Sequence, residues 1–168
     1  MTVCLFTFVE LYSKGLGTLE NLLTKGAAFA ASQGVSEGDM LDWRLIDDMN
    51  PLRFQANVVL NFARQWPARA AGLPVPADVP ENLDLAGYKA AIAEAKAYLA
   101  GLKAEQFEGR DQVPITFNLG QFEPTLPAGQ WLSSFATTNF YFHLSTAYGI
   151  LRHKGVPIGK PDLFAGGL

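Results

Sequence analysis

Cysteine is nearly absent from this chain. Cys4 is the single one in 168 residues, so no internal disulfide can form, and the sequence reads as that of a protein from a reducing compartment, the cytoplasm. Histidine is almost as scarce, with only His143 and His153, which leaves little for a metal centre. No basic cluster could neutralise several phosphates at once, and a net charge of -3 with a pI near 5.3 argues against nucleic acid as a partner. The one dense basic run, Arg152-His153-Lys154, falls at a predicted helix end, where cations complement the helix dipole. No uncharged apolar run approaches the ~20 residues of a membrane span, so no membrane association is expected. Met1 to Phe8 is apolar but lacks a basic region, meets Glu10 and continues into a heptad pattern, so it does not read as a signal peptide.

What is present is a large apolar complement. About half of the residues are hydrophobic, including 12 Phe, 5 Tyr and 3 Trp, enough to bury a sizeable core in a single domain spanning residues 1–168. Four long helices are predicted. The first runs from about Val3 to Ser32 with a seam of Leu5, Val9, Tyr12, Leu16, Leu19, Leu23, Gly26 and Ala30. A short helical turn through Leu41 follows a capping signal at Ser36 to Asp39. Asn50 as cap and Pro51 at the first helical position start the second long helix, whose seam is Leu52, Gln55, Val59, Phe62 and Trp66. Pro67 marks a possible kink or end. Pro74, Pro76 and Pro80 make the next stretch an extended linker. The third helix, about Asp84 to Lys103, carries Leu85, Tyr88, Ile92, Ala95, Leu99 and Leu102. Residues 113–117 and 121–126 alternate loosely and suggest a small β-hairpin. The fourth helix runs from about Ala128 to His153, with the seam Leu132, Ala136, Asn139, His143, Thr146 and Ile150. The tail from Lys154 reads as an extended strap. The fold class is therefore an all-α four-helix bundle with a hairpin before the last helix.

Polar residues intrude on these seams at Tyr12, Gln55, Asn139 and His143, with Thr146 beside them. An unpartnered buried amide or imidazole costs about 1–3 kcal/mol, so these groups must meet each other, water or a ligand. Tyr12 lies about 14 Å along the first helix and His143 about 15 Å from the end of the fourth. The two share a layer if those helices are antiparallel. Three readings follow: a satisfied polar network, a small-molecule cavity centred on His143, and a metal site in which Asp48 joins His143. Tyr148 and Arg152, spaced i, i+4, stand at the rim of such a cavity or form a packed face with a snorkelling guanidinium. Cys4 has no neighbouring base to make it a nucleophile.

The stretch Leu45-Ile46-Asp47-Asp48-Met49-Asn50-Pro51-Leu52 with Gln55, then Asn139 to His143, Thr146-Ala147-Tyr148, Ile150 to His153 and Gly155 to Asp162 resemble a domain-of-unknown-function family of the DinB/YfiT-like helical superfamily. The resemblance spans about Met1 to Phe164. It implies a four-helix bundle, often a homodimer. In the wider superfamily it implies a metal on three histidines, one from the second helix and two spaced four apart on the fourth, and in some members thiol-dependent transferase or isomerase activity. Here His143 is similar to one such ligand, Ala147 stands where a second is expected, and the second helix has none, with Asp48 and Gln55 its nearest polar substitutes. The triad is incomplete, so no metal cofactor is expected. The readings carried forward are small-molecule binding at Tyr12, Gln55, Asn139 and His143, with Asp48, Tyr148 and Arg152 at the rim; a metal-dependent, thiol transferase-like enzyme; and a structural homodimer.

Overall fold

A computed structural model describes residues 4–167. The helices are α1 (Thr7–Ser32), α2 (Glu37–Leu41), α3 (Leu52–Ala71), α4 (Leu85–Gly101), α5 (Ala128–Gln130) and α6 (Thr137–His153). A π-helical stretch, Trp131–Ala136, joins α5 to α6 in one rod. Strands β1 (Pro114–Thr116) and β2 (Thr125–Pro127) form the expected hairpin before that rod, with Ile115 opposite Leu126. The predicted beginning of the first helix at Val3, and the apolar stretch before Cys4, lie outside the described residues. Among the described residues no helix is long and apolar enough to cross a membrane.

The predicted seams of α1 and α4 are buried throughout. The caps follow local chemistry. Ser36 Oγ accepts from the Asp39 amide at 3.1 Å, and Asp84 Oδ1 from the Gly87 amide at 2.7 Å. At α3 the cap is Pro51, one residue later than expected, because its extended backbone (ψ 173°) places its carbonyl to accept the amides of Phe54 and Gln55. α3 runs through Pro67 and closes at Gly72, whose φ of 70° belongs to the left-handed region glycine favours.

Helix directions follow from contacts. On the α1 side, Tyr12 meets Thr137 and Phe140, and the ends Phe29 and Gly155 lie together, so α1 and α6 are parallel. A Cβ on Gly15 would stand 2.3 Å from Phe140, and one on Gly26 2.8 Å from Leu151, so these glycines permit the close approach. Gln55 meets His143 while Trp66 stacks on Trp131, so α3 is antiparallel to α6. Tyr88 bonds Arg53 and Asn57, and Arg64 neighbours Tyr98, so α3 and α4 are parallel. Two successive parallel helices need a crossover, and the Pro-rich linker supplies it by running back along α3. Gln65 donates to the Pro76 carbonyl, Asn61 Oδ1 accepts from the Val79 amide, and Asn57 donates to the Glu81 carbonyl. Proline's fixed φ suits this extended path, and the α3 side chains satisfy polar groups that no sheet partner reaches.

The π stretch shifts the register of the last helix. Its wider turns take in an extra residue per hydrogen-bonded loop, so the inward face arrives one position later than an α pattern predicts. Phe140, Leu144, Ala147 and Leu151 occupy the centre of the core, with Thr146 and Ile150 also buried. Asn139 and His143, expected on the seam, are instead half-buried at its flank. The tail is partly wound, as a 3-10 turn at Lys160–Phe164, and is fastened to α1 where Asp162 accepts from Asn21 at 3.1 Å and pairs with Lys25 at 2.5 Å.

Candidate functional site

Gln55 is in the first turn of α3 and only 3% exposed. Its Nε2 donates to the Asn50 carbonyl at 2.9 Å, and its Oε1 faces His143 Nδ1 at 2.7 Å. With the amide nitrogen committed, the amide oxygen must accept, so Nδ1 carries the imidazole proton. The Nε2 lone pair is therefore the free one. Among the described residues Nε2 has no partner, and it is not one of the buried side-chain atoms that lack one there, which are Arg64 Nε and Tyr98 Oη. The lone pair thus reaches the surface. Burial lowers the His143 pKa below its ordinary 6.5, which keeps the ring neutral at pH 7. Phe54 and Phe142 flank it edge-on, with ring centroids 5.9 and 5.1 Å away. Both phenylalanines are themselves exposed, at 39% and 58%.

The other candidates disperse. Tyr12, fully buried, is not in the His143 layer, because α1 and α6 are parallel. Its hydroxyl stands 3.0 Å from Thr137 Oγ1 and 3.4 Å from the Leu132 carbonyl, inside the π stretch. Burial pushes its phenol well above the usual range. Asn139 donates to the Phe135 carbonyl at 2.8 Å, one turn before His143 on the same face, and Thr146 donates to the Phe142 carbonyl at 2.7 Å. Asp48 is exposed on the connector ahead of α3. Tyr148 is half-buried against the core, and Arg152 is exposed and donates to the Val156 carbonyl at 3.1 Å beyond the helix end. Of the polar seam residues, only Gln55 and His143 bond each other. Sequence reasoning missed Asn50, whose backbone carbonyl anchors the pair, and the flanking rings of Phe54 and Phe142. Phe54 adjoins Gln55 in sequence and Phe142 adjoins His143, a signal that was available.

The residues here do not fit a three-histidine metal set. The second-helix position holds an amide already bonded to the single imidazole, and Ala147 is fully buried. Among the described residues, no group of three or more His, Cys, Asp or Glu side chains is placed to hold a metal ion. Cavities of about 780, 440 and 390 Å³ open elsewhere: between α1 and α4, between α1, α6 and the tail, and between α3 and the Pro-rich linker. The last shares Asn50 and Phe54 with the His143 surroundings.

Residues 6–164 match the family described as Domain of unknown function (DUF1993). The chain is 32% identical to a DinB family member protein from Shewanella denitrificans whose crystal structure is known. The match covers 95% of this chain and 90% of that one, with a TM-score of 0.84. No curated protein matches the sequence significantly. Matched over nearly its whole length by family and by fold, this chain belongs to the DUF1993 family of DinB-like helical bundles.

Proposed function

We propose that this protein binds a small molecule over the exposed edge of His143, without a resident metal. One observation carries the reading: an imidazole whose tautomer is fixed from inside the protein, by a buried glutamine, while its Nε2 lone pair points to solvent with no partner. A ligand N–H or O–H would donate to Nε2, and its apolar part would lie against the rings of Phe54 and Phe142. Asn139, one helical turn away, is close enough to contribute a carbonyl oxygen. A neutral imidazole at pH 7 is also able to accept a proton from the bound molecule. A lone cysteine and the lack of a membrane-spanning helix among the described residues support a cytoplasmic setting.

The test is a thermal-shift screen of a broad metabolite set on the parent and on His143→Ala. Ligands of the site are expected to raise the parent's midpoint by several degrees and to leave the variant unmoved. A screen without any such difference overturns the reading.

A second reading is favoured by Phe54 and Phe142, two exposed large apolar side chains that flank the same ring. In it the α6 flank closes against a second copy, forming a homodimer. Light scattering separates the two: a monomer leaves the ligand site open, whereas a dimer dissociated by Phe142→Glu assigns this face to self-association.

A further inference from the structure

The cavity of about 440 Å³ between α1, α6 and the tail is separate from the His143 edge and within the ~300–1,000 Å³ range of small-molecule sites. Leu11, Leu144, Leu163 and Phe164 make its walls apolar. Gly15 on α1 and Ser145 on α6 are small residues in its lining. The tail wall is held in place, since Thr18 Oγ1 donates to the Leu163 carbonyl at 2.9 Å and Asp162 is fastened to Asn21 and Lys25.

Four hydroxyl-bearing residues line this apolar space; Thr7 and Thr18 bond Cys4 and the Leu163 carbonyl, which leaves Tyr141 and Ser145. They are spaced i, i+4 and so sit together on one helix face. Neither hydroxyl has a hydrogen-bond partner among the described residues. Burial raises the Tyr141 phenol above its ordinary value, so it remains a donor at neutral pH. Its lining also includes Glu10 and Lys14, one charge of each sign, so the lining carries no net charge. A charged head group would have to shed water without a dedicated counter-charge, at a cost that a neutral head avoids.

We propose that this cavity is a second binding site, for an uncharged amphiphile: a hydrocarbon body of medium length carrying a single hydroxyl or carboxamide head. The body fills the space between Leu11, Leu144 and Leu163. The head exchanges hydrogen bonds with Tyr141 and Ser145, each able both to donate and to accept.

The experiment is a titration of leucine-methyl-labelled protein with 1-octanol, octanamide and octanoate, followed by NMR. The two neutral probes are expected to shift the methyls of Leu11, Leu144 and Leu163 saturably, with octanoate at least about tenfold weaker. Tyr141→Phe, which keeps the ring, should weaken the neutral probes about 3- to 10-fold. Ser145→Trp, at an exposed position, should abolish their binding, whereas His143→Ala should leave it unchanged. Absent saturable shifts at those three leucines, equal binding of octanoate, or insensitivity to both Tyr141→Phe and Ser145→Trp overturns the proposal. The methyl map on the unmodified protein decides the matter if a variant fails to fold.

Discussion

Gln55 and His143 are joined across the α3–α6 seam by a hydrogen bond of 2.7 Å whose direction is fixed one step further back, by the Asn50 carbonyl at 2.9 Å. The chain of control runs from a backbone oxygen, through a buried amide, to an imidazole proton, and ends at a lone pair facing solvent. Each step uses up one donor or acceptor and leaves a single choice for the next. Gln55 therefore does more than satisfy a buried histidine, since it decides which nitrogen a ligand meets.

Replacing that amide should change the imidazole before it changes the fold. In the parent, the nitrogen chemical shifts of His143 are expected to report the Nδ1–H tautomer alone. Gln55→Leu removes the acceptor, so a tautomer mixture should appear and ligand-dependent stabilisation should shrink. Gln55→Glu places a carboxylate against Nδ1, so the His143 pKa, below 6.5 in the parent, should rise above it. Parent-like tautomer ratios in Gln55→Leu would remove the relay.

The pH dependence has a definite sign. The folded protein holds the His143 pKa below 6.5 by burial, so near that pH the unfolded chain binds more protons than the folded one. Stability should be steady above about pH 7 and fall as pH drops below about 6.5. His143→Gln should flatten this segment of the midpoint-versus-pH curve. Ligand affinity should fall over the same interval, since a protonated Nε2 no longer accepts. A parent curve without that segment contradicts the assignment.

The sequence discloses the scaffold because the signals for it are local. Heptad spacing places the buried faces of α1 and α4, a serine and an aspartate mark two helix starts, and prolines mark the crossover that lies along α3. The site is less legible, for two physical reasons. Helix direction is a tertiary property, and parallel packing of α1 on α6 puts Tyr12 beside Thr137 instead of His143. The π stretch adds to the turn length without any breaker residue, so an α period assigns Asn139 and His143 to the seam that Phe140 and Leu144 occupy. The pairing of Gln55 with His143 was visible only as two polar residues on otherwise apolar faces.

The tail should be acid-sensitive. Asp162 accepts from Lys25, Asn21 and the Gly159 amide, and these donors hold its carboxyl down at about 2, against an ordinary 3.8. A depressed carboxylate pKa means stabilisation that is fully present above about pH 4 and lost as pH falls towards 2. Asp162→Ala should bring that loosening to neutral pH. Amide exchange across residues 159–167 should quicken while the α1, α3 and α4 cores stay protected. Uniform change across the whole chain would mean that the tail is not a separate unit.

Tyr12 has a structural task that can be measured apart from binding. Thr137 Oγ1 donates to the Leu132 carbonyl at 2.8 Å, and the Tyr12 hydroxyl stands 3.0 Å from Thr137 Oγ1, so the two hydroxyls together serve the wide turn. Tyr12→Phe keeps the ring against Phe140 and removes only the hydroxyl. The expected loss is about 1–2 kcal/mol, the cost of a buried hydrogen bond left half made. Thr137→Val should cost a similar amount, and the double variant less than the sum, because both substitutions disable one network. Exchange should rise first at residues 131–137, and thermal shifts from ligands of His143 should persist in Tyr12→Phe. Additive losses in the double variant would show that the two hydroxyls act independently and that the π turn is held by packing alone.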